Sequence, residues 1–232
     1  MRFFNTAGPV NCDDHYCLPP LERLELDEIE MLIGQKKYFV LHAPRQTGKT
    51  TCLLALMDYL NEQGTYRALY CNVEAAQAAR EDVQQAMNDI LREIARKAQI
   101  YLQDNFLDTN KYRFLERGGH GTALATALSE WAEALDKPLI ILVDEIDSLI
   151  GDSLISVLRQ LRSGYTQRPK HFPQSIILCG VRDVRDYRIH SSSTKEIVTG
   201  GSAFNIKATS LRLGNFIQSE VESLLMQHTQ ES

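Results

Sequence analysis

The sequence lacks any apolar run long enough to cross a membrane, and its first residues lack the continuous apolar stretch of a secretory signal. It also lacks an excess of basic residues: 25 Lys and Arg stand against 30 Asp and Glu, and the formal net charge is −5. Neither a recognisable DNA-reading motif nor an internal repeat is present. These absences predict a cytoplasmic protein with no membrane partner. They argue against a broad nucleic-acid surface, although a local basic patch stays compatible with this charge.

Cysteine is scarce, with residues only at positions 12, 17, 52, 71 and 179. Two of the five fall in predicted strands and one in a predicted helix, and an odd number does not suit a set of disulfides. We therefore expect reduced thiols, as in most cytosolic proteins. A zinc site would need a second pair beside Cys12 and Cys17, and the intervening His15 does not supply it.

What is present is the composition of a globular protein, with 44% apolar and 24% charged residues. The 232 residues suffice for one large α/β core, or for such a core and part of a second domain. Short β-prone apolar runs alternate with amphipathic segments, which predicts parallel strands joined by right-handed crossovers. The predicted strands are 38–42, 67–73, 139–143 and 175–179. The predicted helices are 21–33, 51–60, 81–102, 122–135, 154–161 and 216–228.

Residues 43–50, Ala-Pro-Arg-Gln-Thr-Gly-Lys-Thr, nearly match the phosphate-binding pattern G-x-x-x-x-G-K-[ST]. The pattern needs a strand before it and a helix after it, and the segments 38–42 and 51–60 supply both. Backbone N–H groups of such a loop, together with the helix N-terminus, attract an anion. We expect Lys49 to reach the β- and γ-phosphates of a nucleotide and Thr50 to hold Mg²⁺.

The loop departs from this pattern at Ala43, which stands where the pattern has its first glycine. An alanine with a positive φ would be strained, so we expect the geometry at this end of the loop to deviate more than at Gly48. An isolated match also fits a simple strand-to-helix turn with a surface lysine. A second motif is therefore needed to distinguish a phosphate site from such a turn.

A second motif follows the third predicted strand, where five apolar residues lead into Asp144 and Glu145. Such a run predicts a strand buried on both faces, and open α/β sheets bind ligands at the carboxyl ends of their strands. Asp144 suits Mg²⁺, held directly or through water, because this ion takes few carboxylates. Side chains alternate along a strand, so Glu145 points elsewhere and is free to orient and deprotonate a water molecule. The alternative, a solvated acidic end of a core strand, is disfavoured by the phosphate loop.

Together the two motifs resemble the Walker A and Walker B motifs of P-loop NTPases that carry a catalytic Glu directly after the Walker B Asp. Residues 45–51 and 144–149 are similar to those of the AAA+/STAND-related ATPases, which include archaeal-type ATPases and replication-initiator-like proteins. Nearly the whole chain resembles the N-terminal ATPase module of bacterial AAA-like ATP-binding proteins, including residues 4–9, 15–16 and 204–206. The resemblance implies a three-layer α/β P-loop fold, with a mostly parallel five-stranded sheet between helices and with ATP and Mg²⁺ as cofactors.

The resemblance also implies a domain organisation. Residues 1–20 would form an irregular N-terminal leader, 21–214 the P-loop ATPase core, and 215–232 the start of a truncated helical lid. Within the core, residues 104–121 are polar and glycine-rich, which predicts a surface excursion. Residues 190–202 are rich in serine and glycine, and they are either a linker, which we favour, or a loop that responds to nucleotide.

The same resemblance implies the roles of single residues. Arg182 follows the fourth predicted strand, close to where related ATPases carry an arginine, and its planar fork of donors suits a γ-phosphate. Glu145, Lys49 and Arg182 would be catalytic, and Thr50 and Asp144 would hold the metal. The nucleotide would be bound by Pro44, Arg45, Gln46, Thr47, Gly48, Lys49, Thr50 and Thr51.

Two sets of residues near these motifs allow two interpretations each. Arg185 and Arg188 either supply an arginine finger to a neighbouring subunit or form local Arg/Asp pairs on a solvated helix, which we favour. His15, Tyr16 and Arg23 precede the first strand, where related ATPases often build an adenine pocket. A ring stacked on adenine and simple packing of the leader onto the core are equally compatible with these three residues.

The predicted function is binding and hydrolysis of ATP·Mg²⁺ to drive or time a conformational change. A kinase would need an acceptor pocket, and the adjacent Asp144 and Glu145 favour water as the acceptor. Two alternatives stay open: a non-catalytic ATP-gated switch or scaffold of the STAND kind, and the ATPase module of a DNA-acting protein, initiator- or nuclease-linked. Besides ATP, the expected partners are further copies of the chain or a missing C-terminal effector domain. Nucleic acid is a further candidate that the charge does not support.

Overall fold

The computed structural model describes residues 2–191 and 193–231 of the chain. These residues form seven strands: β1 Tyr38–His42, β2 Arg67–Asn72, β3 Leu139–Asp144, β4 Ser175–Gly180, β5 Arg188–His190, β6 Ile197–Thr199 and β7 Lys207–Arg212. Five of them form the central sheet in the order β2-β3-β4-β1-β7, and every neighbouring pair in it is parallel. The other two, β5 and β6, pair with each other as an antiparallel ribbon. The predicted five-stranded, mostly parallel sheet is confirmed.

Helices cover both faces of the sheet. The described residues contain α1 Leu26–Gly34, α2 Lys49–Glu62, α3 Val83–Leu102, α4 Phe106–Gly118, α5 Ala123–Ala134, α6 Gly151–Ser163, α7 Gly200–Ala203 and α8 Gln218–Glu231. Buried side chains of α1 and α2 pack on one face, and those of α3, α5 and α6 pack on the other. The fold is therefore the three-layer α/β P-loop arrangement that the sequence predicts.

Strand β1 shows how the sequence produces these layers. Tyr38 and Val40 join the buried cluster on the side of α3, whereas Phe39 and Leu41 join the cluster on the side of α2. This alternation is the two-residue period of a strand. All four side chains are buried, and so are all six residues of β3. Because both faces of the sheet are covered, its central strands consist of continuous apolar runs.

The surface excursion predicted over 104–121 contains a helix, α4, that the sequence analysis does not predict. Leu107 and Phe114 are buried between α3 and α5, and their spacing of seven residues corresponds to two helical turns. Most other side chains of α4 are polar, which concealed this short apolar pattern. The predicted helix 21–33 is also divided, into a 3₁₀ helix at Pro20–Arg23 and α1.

The segment after β4 does not form the solvated helix considered for Arg185 and Arg188. Arg182 lies in a bend, Val184–Asp186 forms one 3₁₀ turn, and β5 begins at Arg188. Within the loop predicted over 190–202, β5 ends at His190, and β6 and the start of α7 occupy 197–202. The side chains of Arg185 and Arg188, like all of Ser192, lie outside the described part of the chain, so their roles stay predictions.

The prediction that all cysteines are reduced thiols is wrong for one pair. Cys12 and Cys17 form a disulfide, while Cys52, Cys71 and Cys179 are free and buried. The physical reason is local: a turn starting at Asn11 brings the two Cα atoms to 5.4 Å, which is within the range of a disulfide.

Helix α8 lies against the N-terminal leader. Gln227 exchanges two hydrogen bonds with the backbone of Cys17, and the Tyr16 hydroxyl lies 3.1 Å from Nδ1 of His228. None of the described residues of α8 is buried, and its apolar side chains at Val221 and Leu225 are exposed. Across the described ranges, no helix combines the length and the apolar character that a bilayer span requires.

Candidate functional site

The phosphate loop connects β1 to α2 at the carboxyl edge of the sheet. Gln46 has a φ of 61° and Gly48 a φ of 88°, and these two left-handed residues turn the chain into the first turn of α2. A Cβ on Gly48 would be strained at this φ, and it would also lie 3.0 Å from a guanidinium nitrogen of Arg23. The glycine required by the motif is thus required by the geometry as well.

Lys49 is the first residue of α2, and its side chain lies inside the loop. The residue is only 6% exposed, and its ammonium donates to the backbone carbonyls of Ala43 at 3.1 Å and Pro44 at 2.9 Å. Thr47 also donates its hydroxyl to Pro44, at 2.8 Å. The structure therefore places a positive charge inside the loop, against two backbone carbonyl groups.

Ala43 causes no distortion at the start of the loop. Its φ is not positive, so the strain expected for an alanine at this position does not arise. The residue is fully buried in the cluster beneath α2, and its N–H donates to the carbonyl of Gly180 at 3.2 Å. The methyl group fills core space, and the loop accommodates this departure from the glycine pattern.

Replacing Ala43 by glycine is expected to destabilise the domain by about 1–2 kcal/mol, because a buried methyl group is lost and the unfolded chain gains freedom. The phosphate-binding groups lie further along the loop, so ATP affinity should stay within about twofold of the wild-type value. Thermal unfolding and a nucleotide titration on the same samples measure both effects. A large loss of affinity at unchanged stability would contradict this assignment of Ala43 to the core.

Asp144 ends β3 and is completely buried. Its Oδ2 accepts hydrogen bonds from the Thr50 hydroxyl at 2.8 Å and from the Tyr70 hydroxyl at 3.0 Å, and its Oδ1 accepts from the Glu145 N–H at 2.9 Å. Three donors hold this carboxylate in one orientation. The structure thus brings together Thr50 and Asp144, the two residues that the sequence analysis assigns to the metal. Their side-chain oxygen atoms are ligands of the kind that Mg²⁺ prefers.

Tyr70 is a site residue that the sequence analysis missed. It lies on β2, the edge strand beside β3, and burial together with the neighbouring Asp144 raises the pKa of its hydroxyl far above the usual range. The hydroxyl therefore stays a donor to Asp144 at all ordinary pH values. The sequence did offer one indication of this role. Tyr70 is a single tyrosine in an apolar run, two residues before the carboxyl end of a strand, where ligand-binding side chains collect.

Glu145 is partly buried and adopts a left-handed backbone conformation, with a φ of 54°. It faces a cavity of about 300 Å³ that also contacts Arg45, Gln46, Lys49 and Thr50. Burial raises the pKa of the Glu145 carboxyl, the Asp144 and Asp147 carboxylates raise it further, and Lys49 opposes them. A carboxylate with a raised pKa beside a phosphate loop is suited to accept a proton from water.

Arg182 lies outside this arrangement. Its exposed side chain borders an adjoining cavity of about 620 Å³, together with Asp147 and Tyr187, rather than the cavity around Lys49. Asp147 links the two regions, since it follows β3 and accepts a hydrogen bond from the backbone N–H of Val181 at 3.3 Å. The structure therefore brings together the predicted residues of the two motifs and leaves Arg182 on a neighbouring surface.

The leader residues considered for an adenine pocket take different places. The imidazole of His15 accepts from the N–H of Asn11 at 3.0 Å and packs against Phe3, so it belongs to the turn of the leader itself. Tyr16 is 4% exposed and lines a small cavity between the leader, α2 and α8. Arg23 lines the same cavity and bonds to the phosphate loop. Packing accounts for His15, and an adenine contact stays a prediction for Tyr16.

A family model described as AAA domain matches residues 32–187, which is well over half of the 232 residues. The chain belongs to this AAA domain family. The matched range contains the phosphate loop, the end of β3 and Arg182, and it leaves the leader and α8 outside. The protein is thus a P-loop ATPase domain of the AAA+ type. A comparison with curated proteins yields no match.

Solved structures share this AAA domain fold. Cdc6p from Pyrobaculum aerophilum is 18% identical, with a TM-score of 0.55, over 93% of this chain and 50% of that one. The Walker-type ATPase of Pyrococcus abyssi is 16% identical, with a TM-score of 0.61, over 98% of this chain and 61% of that one. AMPPCP-bound DnaA from Aquifex aeolicus is 14% identical, with a TM-score of 0.50, over 93% and 53%. This chain therefore spans roughly half to three fifths of these relatives.

Proposed function

We propose that this AAA domain binds ATP together with Mg²⁺ and hydrolyses the ATP to drive a conformational change. The observation that carries the proposal is the contact between Thr50 and Asp144, whose side-chain oxygens lie 2.8 Å apart beside the phosphate loop. One oxygen comes from each motif, and a hydroxyl and a carboxylate so arranged are ligands that P-loop NTPases use for Mg²⁺. The AMPPCP in the DnaA structure belongs to that relative, and it supports an adenine nucleotide as the ligand here.

The phosphate chain would be bound by residues 44–51. Lys49 now donates to two carbonyl groups of its own loop. Phosphate oxygens would replace these neutral acceptors, because hydrogen bonds between charged partners are stronger. Pro44, Arg45 and Gln46 are exposed, so this side of the loop is open to a ligand from solvent. The N–H groups of the loop and of the first turn of α2 would complete the contacts.

Thr50 and Asp144 would hold Mg²⁺. When bound, this ion would neutralise part of the negative charge of the phosphates. The protein prepares this role by fixing Asp144 with the bonds from Tyr70 and from the Glu145 N–H. A carboxylate that is already oriented loses little conformational freedom when it binds an ion.

Glu145 would act as the general base. It would take a proton from a water molecule whose oxygen forms a bond to the γ-phosphorus, while the bond from that phosphorus to the β–γ bridging oxygen breaks. The products are ADP and inorganic phosphate. Lys49 would stabilise the negative charge that develops on the phosphate oxygens. The raised pKa of the Glu145 carboxyl supports this assignment, since a base needs a proton affinity close to its working pH.

Several finer features belong to the proposal. Arg182 would contact the γ-phosphate after its exposed side chain turns from the adjoining cavity toward Lys49. The cytoplasmic location and the division into leader, core and lid stay proposals. Further copies of the chain, a C-terminal effector domain or nucleic acid are proposed partners, and the net charge of −5 does not favour the last of these.

Replacing Thr50 by valine is expected to remove most of the dependence of ATP affinity on Mg²⁺, because valine keeps the shape of threonine but lacks the hydroxyl ligand. Exchanging EDTA for Mg²⁺ should raise the ATP affinity of the wild type by about tenfold or more and that of the variant by less than about threefold. Isothermal titration calorimetry under both conditions measures this difference. Thr109→Val, on the exposed surface of α4, serves as the matched control. An equal Mg²⁺ effect in all three proteins would contradict the metal site.

A further inference from the structure

Arg23 connects three separate parts of the chain. It ends the 3₁₀ helix Pro20–Arg23, outside the residues matched by the family model, and its side chain is only 7% exposed. One side of its guanidinium faces the phosphate loop, and the other faces the segment that leads into α8. A buried arginine is costly unless most of its donors are satisfied, so its contacts indicate what this position requires.

The contacts of Arg23 satisfy it from two directions. Nη1 donates to the backbone carbonyl of Thr47 in the phosphate loop, and Nη2 donates to the carbonyl of Gly214 at 2.8 Å. The Glu220 carboxylate of α8 lies 3.6 Å from Nε, and the guanidinium carbon lies 3.9 Å from the ring centre of Phe216. The guanidinium donates hydrogen bonds from its edge and stacks its face on an aromatic ring. Arginine can do both at once, whereas lysine cannot.

The bond to Thr47 fixes one peptide plane of the phosphate loop. In a trans peptide the carbonyl of residue 47 and the N–H of residue 48 point in opposite directions. With its carbonyl held by Arg23, the peptide directs the N–H of Gly48 away from the guanidinium. Gly48 separates two cavities, one bordered by Arg23 and Phe216 and the other by Lys49 and Glu145. The orientation of this N–H, a donor of the kind that binds phosphate, therefore depends on Arg23.

We propose that Arg23 is a positioning residue that holds the Thr47–Gly48 peptide in its phosphate-binding orientation and couples the loop to α8 through Phe216 and Glu220. This inference rests on the proposed binding of ATP at the loop. A nucleotide that requires this peptide orientation stabilises the Arg23 contacts, and those contacts stabilise α8. Because such coupling is reciprocal, whatever binds and orders α8 also strengthens nucleotide binding.

The test combines nucleotide affinity with the order of α8. Arg23→Met keeps an unbranched apolar stem and loses all donors, so ATP affinity should fall by about tenfold. Arg23→Lys keeps the charge but cannot bond two carbonyls and stack on a ring, so it should restore little of this loss. In wild type, ATP should slow backbone hydrogen exchange in α8 by about threefold or more, and in Arg23→Met it should not. Arg96→Met, on the exposed face of α3, is the matched control and should behave as wild type.

Each outcome separates the inference from the proposed function. Wild-type affinity in Arg23→Met overturns the positioning role, and wild-type protein that binds ATP without any change in α8 exchange overturns the coupling. Wild-type protein that binds no ATP refutes the proposed function, and the inference fails with it. If circular dichroism shows that Arg23→Met does not fold, Phe216→Ala tests the coupling instead. This variant should fold, because Phe216 is 42% exposed and contacts only the α8 side of the guanidinium. Protection of α8 by ATP that persists when Phe216→Ala is combined with Glu220→Gln overturns the coupling.

Discussion

Replacing Lys49 by alanine is expected to weaken ATP binding by about a hundredfold or more, since each hydrogen bond between charged partners contributes about 1.5–3 kcal/mol. The ammonium is buried inside the loop and donates there to two neutral carbonyl groups. Loss of this side chain removes the buried positive charge that would lie against the phosphates. Isothermal titration calorimetry or a fluorescent nucleotide measures the loss, with the same protein checked for thermal unfolding.

The control for this variant is Lys97→Ala, which removes a lysine that is also mostly covered but lies on α3 beside Glu93. ATP affinity should be unchanged in this control. An affinity of Lys49→Ala equal to that of wild type would mean that residues 43–50 form a plain strand-to-helix turn and do not bind phosphate.

Replacing Glu145 by glutamine is expected to lower the rate of hydrolysis by about 10²–10⁴-fold, which is the contribution of a positioned general base. The amide keeps the shape of the side chain but cannot accept a proton. ATP affinity should stay within about threefold of wild type, because Lys49, Thr50 and Asp144 keep their places. Phosphate release under single-turnover conditions measures the rate, and a titration measures the affinity.

The pH dependence gives an independent check on Glu145. Burial and the neighbouring carboxylates, Asp144 first, raise the pKa of its carboxyl above the ordinary value of 4.5. The base is lost when this group is protonated, so the wild-type rate should fall as the pH drops through the raised pKa. The sign for stability is opposite: the folded state binds this proton more tightly than the unfolded state, so the ionised carboxyl costs stability at neutral pH. Glu145→Gln should therefore unfold at the wild-type temperature or above it, which separates lost chemistry from lost folding.

The central strands and both motifs were predictable because each is encoded in consecutive residues. A fully covered parallel sheet makes β3 a continuous apolar run, and the run stops where Asp144 and Glu145 begin. The order of the sheet, with β1 between β4 and β7, then brings Asp144 to the first turn of α2. Because both motifs follow parallel strands, their positions at the strand ends were enough to predict that their residues lie close together.

Contacts between distant segments were not predictable in the same way. The bonds of Tyr70 to Asp144 and of Arg23 to Thr47 and Gly214 depend on tertiary packing, and nothing in the neighbouring residues specifies them. The turn that closes the Cys12–Cys17 disulfide depends on local backbone geometry, which cysteine spacing alone does not give.

Helix α4 was missed for a different reason. The apolar pattern at Leu107 and Phe114 is short, and polar residues surround it. The burial that stabilises this helix comes from α3 and α5, which pack on either side of it. Tertiary packing thus decided the structure of a segment whose polar, glycine-rich composition predicts only a surface excursion.

The measurement that tests the central claim most directly is single-turnover ATP hydrolysis with Mg²⁺, on wild type and Glu145→Gln side by side, with nucleotide binding measured on both. We predict that wild type releases phosphate and that the variant binds ATP without releasing it. Binding by both proteins with hydrolysis by neither would contradict hydrolysis and favour the ATP-gated switch. Equal hydrolysis by both would contradict the assignment of Glu145 as the base.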